Sequence, residues 1–340
     1  MNTSCDIAEL MCPGAIHDLG WLKRALQAAI KIEFTTIPPY LCGLWSIKDE
    51  RHPFACSIRE VVQEEMLHMA LASNLLAAIG GTPSIRDAVP VYPCPLPGGV
   101  HSGLEVQLAR LSPKALKVFL RIERPDEPLR IGGPDPGHLP PTKAITIGEF
   151  YEAILKAFRD LKPALTPEGQ LPGRSQAYGK ERKEAWKIIL TMEDVEDAIS
   201  TIMHQGEGMG DTPADTGEGD LSHYYRFLEM RKKRRIVLMA GRWKFGDAYP
   251  MPEILPMADI PEGGYRQADV SAEIWRLLTS FDTTFTTMVT LLDSAWRGQG
   301  YEHIVRAMEV MFRLQADALP LMRTTIPGRD QTYGPCFRIT

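Results

Sequence analysis

Glu65 and His68 stand three residues apart within Ser57-Ile-Arg-Glu-Val-Val-Gln-Glu-Glu-Met-Leu-His-Met-Ala-Leu-Ala-Ser-Asn-Leu-Leu-Ala-Ala-Ile79. On a helix that spacing sets a carboxylate and an imidazole on neighbouring turns of one face. The face is otherwise apolar, since Ile58, Val61, Glu65, His68, Ala72, Leu75 and Ile79 follow the helical repeat. Burying even a neutral polar group without a partner costs about 2–7 kcal/mol, so ionisable groups in a core-facing stripe need compensation. A metal ion supplies it, and oxygen and imidazole donors suit iron, with manganese as the alternative, better than structural zinc. Upstream, Leu19, Leu22, Leu26, Ile30, Glu33 and Ile37 repeat the anomaly, with Glu33 the single acid in an apolar stripe. Glu33 alone fits a buried acid paired with a base equally well; beside Glu65 and His68 it becomes a candidate ligand. Glu64, next to Glu65, is expected on the solvent side.

The elements that must position these groups are helical. Asp18 to Ile37 reads as a first helix stopped by Pro38-Pro39. The second spans 57–79, opened by the capping-box pair Ser57 and Glu60 and closed by Gly80-Gly81 before Pro83. Ser112-Pro113 opens a third, with Leu116, Phe119, Leu120 and Glu123 on one face. Further helices are expected from Thr146 (Ile147, Tyr151, Ile154, Phe158 and Leu161 inward), over 181–205, and from Ser222 to Glu229. Ser271 caps a clean amphipathic helix, and a last one runs from about Tyr301 to Leu319 with Ile304, Val305, Met308, Met311 and Phe312 inward. Between them lie irregular Pro/Gly-dense stretches at 80–103, 124–141, 163–180 and 246–270, and no sustained strand alternation is present. The expected fold is all-α, a bundle over residues 15–245 with long inserted loops. Residues 246–340 form a linker and a helical pair packed on it, completing the bundle or making a homo-oligomer interface.

Composition sets the outer limits. The chain has 340 residues, 44% hydrophobic and 24% charged, with a net charge of -5, ordinary values for a soluble globular protein. Nothing there favours a nucleic-acid partner, and the tract Arg231-Lys-Lys-Arg-Arg235 reads as a short solvated face. The N-terminal residues lack a secretory pattern and no long apolar span follows, so a cytoplasmic location without membrane contact is the expectation. The cysteines are scattered without zinc spacing; Cys42 and Cys56 read as loop thiols flanking the helices. His17, His52, His101, His138 and His303 fall in loops or at helix ends and read as surface residues.

Glu33-Phe-Thr-Thr-Ile-Pro-Pro-Tyr-Leu, Glu64-Glu-Met-Leu-His-Met and Asn74-Leu-Leu-Ala-Ala-Ile-Gly-Gly together resemble the ferritin-like family that includes the iminophenyl-pyruvate dimer synthase domain of violacein and related bisindole biosynthesis. Thr146-Ile-Gly-Glu-Phe-Tyr, Gln205-Gly-Glu-Gly and Ser222-His-Tyr-Tyr-Arg-Phe are similar to its later motifs, in order, over residues 18–230. The resemblance implies a ferritin-like four-helix bundle with a carboxylate-rich site fed by several helices, to which Glu33, Glu65 and His68 map directly. Glu207, flanked by glycines, could approach a metal closely or simply end its helix. His223 could stand in for the histidine of a second Glu-x-x-His, which this chain lacks. Glu149 sits in a Thr-x-x-Glu capping pattern, so a cap competes with a ligand role, and Glu123 is the fallback from the third helix.

The functional expectation is a non-haem oxidoreductase with two iron ions or one, acting on a small amino-acid-derived substrate. By the resemblance that substrate is an aromatic imine or keto acid. The missing second Glu-x-x-His keeps open a ferritin-like scaffold that binds a small molecule or partner without turnover.

Overall fold

The computed structural model describes residues 10–340 apart from 13, 98–99, 101–102, 132–144, 174–185, 209–211 and 215–219; His101 and His138 therefore lie outside the described residues. Helix α1 (Leu19–Trp45) starts at Asp18, whose side chain accepts from the Trp21 N–H. It does not end at Pro38-Pro39 but runs through both. Each proline removes a donor and strands the carbonyl four residues earlier. The Thr35 carbonyl stranded by Pro39 accepts instead from the Tyr92 hydroxyl at 2.7 Å, and the Thr35 and Thr36 hydroxyls donate back to the Lys31 and Glu33 carbonyls. Every residue from Ile32 to Trp45 is buried, so packing holds the helix where propensity alone would break it.

Helix α2 (Pro53–Ala78) also begins earlier than its sequence pattern indicates. Pro53 takes the first helical position and His52 caps it, Nδ1 accepting from the Phe54 N–H at 3.1 Å, which leaves Ser57 and Glu60 inside the helix. Cys42 and Cys56 accordingly lie within α1 and α2 rather than in loops. Helix α3 (Pro113–Ile122) is capped by Ser112, and α4 (Ile147–Leu161) by a complete Thr146/Glu149 capping box. Helix α5 (Met192–Glu207) starts later than the expected 181–205 helix: Thr191 and Asp194 form its capping box, residues 186–190 before it are not helical, and residues 181–185 lie outside the described residues. Helix α6 (His223–Lys232) follows Ser222.

These helices enclose one core. α1 packs along α2, α4 against α5, α3 against α6, and both α5 and α6 rest on α2. Among the described residues two short antiparallel strand pairs decorate it: β1 (Cys94–Pro95) with β2 (Glu105–Val106), and the hairpin of β3 (Arg234–Met239) and β4 (Arg242–Ala248). The hairpin is a local addition to an all-α bundle. Its turn places Ala240 and Gly241 at φ 51° and 72°, the left-handed conformation a tight hairpin requires. It also reassigns part of the basic tract, since Arg235 lies over the Tyr249 ring at 3.6 Å and pairs with Glu229 at 3.1 Å.

Helices α7 (Ala272–Ser294) and α8 (Tyr301–Arg323) pack on each other. The buried face of α8 is Ile304, Ala307, Leu314, Ala318 and Leu321, whereas Val305 and Phe312, expected inward, are 40% and 71% exposed. After α8 the tail returns to the core, where Phe337 packs against Trp45, Phe281 and Phe285. Among the described residues no helix is long and apolar enough to cross a membrane.

Candidate metal centre

Helix α1 carries Thr36, Tyr40 and Glu33 at helical spacing into the space between α2, α4 and α6. There the structure brings together Glu33, Glu65, His68, Glu123 and His223, each no more than 4% exposed. They form two groups, Glu33 with Glu65 and His68, and Glu65 with Glu123 and His223; within each, the ligand-type atoms all lie within 4.8 Å of one another. Glu65 belongs to both. A carboxylate has two oxygens, so one side chain placed this way can serve two cations at once.

The surrounding groups fix how each donor is presented. Tyr151 donates its hydroxyl to Glu33 Oε1 at 2.6 Å, Thr36 to Glu65 Oε2 at 2.8 Å, and Tyr40 to Glu123 Oε1. Burial first, and the nearby acids second, push both phenols well above their usual range, so they remain protonated donors. His68 turns Nδ1 to Glu33 Oε2 at 3.5 Å, with its Nε2 2.8 Å from Gln205 Oε1. His223 turns Nδ1 to Glu65 Oε1 at 2.8 Å and Glu123 Oε2 at 3.5 Å. Neither contact gives that buried nitrogen hydrogen-bond geometry.

Electrostatics reports the same crowding. Burial, then the Glu123 charge, raises Glu65 to about 7, His223 pulling the other way. Burial alone would lower the two imidazoles. The carboxylates of Glu123, Glu64 and Glu65 outweigh it at His223 and hold that ring well above its ordinary value, and Glu33 does the same for His68 to a lesser degree. Protons thus occupy the positions that a cation would otherwise neutralise. A buried imidazole nitrogen aimed at two carboxylates without a hydrogen bond, within a set of oxygen and nitrogen donors, fits a bound metal ion.

The remaining candidates sort differently. Glu149 is committed to its cap: Oε2 accepts from the Thr146 N–H at 2.8 Å, and it joins neither group. Glu207 also lies outside both groups. It lines the cleft beside them, Oε1 accepting from the Gly148 N–H at 2.8 Å, and burial pushes its carboxyl up to about 8. Gly148 has to be glycine for this, because a Cβ there would stand 2.5 Å from Glu207 Oε2. Glu123, the fallback of the sequence reading, caps the C-terminus of α3 and enters a group. Glu64 reverses expectation: it is 2% exposed, 3.0 Å from His223 Nε2 and 3.3 Å from Arg226. The one-stripe reading of α2 failed because α5 and α6 cover a second side of it. Tyr40, Tyr151 and Gln205 carry no local mark of a site in the sequence beyond the inward position of Tyr151; their partners Glu123, Glu33 and His68 lie on other helices.

Comparison with known proteins agrees with this geometry. The family model described as Ferritin-like matches residues 26–232, more than half the chain and all the donors above. The chain belongs to the Ferritin-like family. Ferritin-like proteins set carboxylates and histidines inward from several helices around metal ions; the inward groups gathered here come from α1, α2, α3 and α6. Dichlorochromopyrrolate synthase of Lentzea aerocolonigenes is 24% identical over 83% of this chain and 29% of its own. The 2-imino-3-(indol-3-yl)propanoate dimerase of Chromobacterium violaceum is 25% identical over 95% of this chain and 34% of its own. The chain thus spans about a third of the length of these biosynthetic enzymes. A crystal structure of a ferritin-like protein from Caulobacter vibrioides superposes with a TM-score of 0.64 at 20% identity, covering 95% of this chain and 99% of that one; it shares the fold.

Proposed function

We propose that this chain is a non-haem iron oxidoreductase with a two-metal centre, manganese being the alternative metal, acting on a small amino-acid-derived aromatic imine or keto acid in a biosynthetic reaction. The observation that carries the reading is the shared Glu65, which joins two three-residue donor groups into one centre. Glu33, Glu65 and His68 would hold one ion, and Glu65, Glu123 and His223 the other. Bound iron would supply one-electron redox steps and open coordination for dioxygen chemistry. The chain's own residues do the rest. Tyr151, Thr36 and Tyr40 hold three carboxylates in place by donating to one oxygen of each. Ile122, Ile147, Ile202 and Met203 wall the cleft with apolar surface that limits water. Glu207, whose carboxyl burial pushes up to about 8, faces that cleft. The names of the two biosynthetic relatives support the substrate class.

Metal analysis of the purified chain tests the reading. About two iron or manganese ions per chain, absent from Glu65→Ala, are expected, with an anomalous signal at the corresponding absorption edge between α1 and α6. A metal-free fold that still binds small aromatic amino-acid derivatives would establish the scaffold role instead.

A further inference from the structure

The two imidazoles of the centre are held from behind by different chemistry. His68 donates Nε2–H towards the amide oxygen of Gln205 at 2.8 Å, a neutral acceptor, which leaves Nδ1 facing Glu33. His223 donates Nε2–H to Glu64 Oε2 at 3.0 Å, a carboxylate, which leaves Nδ1 facing Glu65 and Glu123. Glu64 has its countercharge within the protein: Arg226 lies 3.3 Å from it and reaches on to Glu60 at 3.4 Å. Glu64, His223 and Arg226 are all 5% exposed or less, so water does little to screen the arrangement.

We propose that Glu64 is a positioning residue that makes the two metal subsites unequal, locking the tautomer of His223 and making that imidazole the stronger donor. The proposal rests on the two-metal reading above. A ring N–H shared with a carboxylate gains imidazolate character, and such outer partners are worth about 10–100-fold in metal affinity. Gln205 orients His68 equally well but adds no charge. The subsite of His223 is therefore the tighter one and fills first.

Cobalt(II), titrated into the chelator-stripped chain and followed by visible absorption and calorimetry, tests this. The chain as it stands should take up two equivalents, with dissociation constants about tenfold or more apart. Glu64→Gln keeps an acceptor for Nε2 but removes the charge; it should weaken the tighter equivalent by about 10–100-fold and leave the other unchanged. In a His223→Ala background Glu64→Gln should change nothing further, because its action runs through that ring, whereas a merely structural role would weaken cobalt binding in either background. Gln205→Glu makes the reverse change behind His68 and should tighten the weaker equivalent. Equal weakening of both equivalents, no change in either, an effect that persists without His223, or no tightening in Gln205→Glu overturns the inference and leaves the metal centre standing. No cobalt uptake by the unaltered chain overturns the centre and the inference together.

Discussion

Two faces of α1 end in opposite kinds of contact. Towards α7 and the tail the buried partners are rings: Phe34 lies 6.2 Å from Phe285, Trp45 stacks on Phe337 at 6.0 Å, and Phe337 meets Phe281 at 4.9 Å. Towards α2, α3 and α6 they are Glu33, Thr36 and Tyr40 set against Glu65, His68, Glu123 and His223. The aromatic side gains free energy from burial alone and needs nothing bound. The acidic side buries groups whose charged forms are disfavoured, and it is restful only when protons or a cation are present. One half of the core thus carries stability, and the other spends some of it to hold a site.

The largest effect should come from the aromatic side. Phe337→Ala removes a fully buried ring and should destabilise the fold by about 3–5 kcal/mol, read by denaturant unfolding, while the folded fraction keeps its full metal stoichiometry. Loss of metal without loss of stability would erase the division between the two faces. Glu65→Ala is the converse change. It should abolish metal uptake at both subsites and with it the stabilisation by metal, about 3 kcal/mol for each subsite at a hundredfold excess over its dissociation constant. The metal-free variant should melt no lower than the metal-free parent, because it loses a carboxyl that burial already disfavours. A large drop in the metal-free state would instead mean that Glu65 is a structural keystone.

Acidity separates the faces next. In the metal-free protein Glu65 is raised to about 7 and Glu207 to about 8, and His68 and His223 are raised as well. A raised folded value means that the folded state binds protons more tightly than the unfolded chain. That stability is fully present below the unfolded carboxyl range near pH 4–5 and is lost as pH rises through 7 and 8. Chelator-stripped protein should therefore lose about 1 kcal/mol or more per pH unit between pH 6 and 8, and metal-loaded protein should lose much less, as thermal melts in matched buffers would show. Equal slopes for the two forms would argue that metal does not displace these protons.

The two faces were not equally readable in the amino-acid sequence. Glu33, Glu65 and His68 stood out because each breaks an apolar stripe on its own helix, a local signal that needs no knowledge of neighbours. Glu123 and Glu64 depend on which helices pack where: Glu123 is a C-terminal cap until α6 brings His223 to it, and Glu64 looks solvated until α5 and α6 cover α2. Glu149 shows the limit from the other side, since the same Thr-x-x-Glu pattern that drew notice consumes it as a cap. Pro38-Pro39 misled for a related reason. The donor that rescues the Thr35 carbonyl is Tyr92, far along the chain in an irregular segment.

The smallest expected effect lies at the boundary between the faces. Thr36 sits within one turn of Phe34 on α1, yet its hydroxyl lies 2.8 Å from Glu65 Oε2 and 2.7 Å from the Glu33 carbonyl, its single proton shared between the two. Thr36→Val keeps the shape and β-branching and removes the hydroxyl, so the aromatic packing should be untouched and the helix should lose only about 1 kcal/mol. The consequence for the site should be of a different kind. Glu65 would have one oxygen without a donor, free to rotate, and the shared carboxylate would no longer be held in register with both groups. A chain that unfolds almost as before but binds its two metal ions more weakly would show that the polar face is ordered by single hydrogen bonds; unchanged metal affinity would show that packing alone orients Glu65.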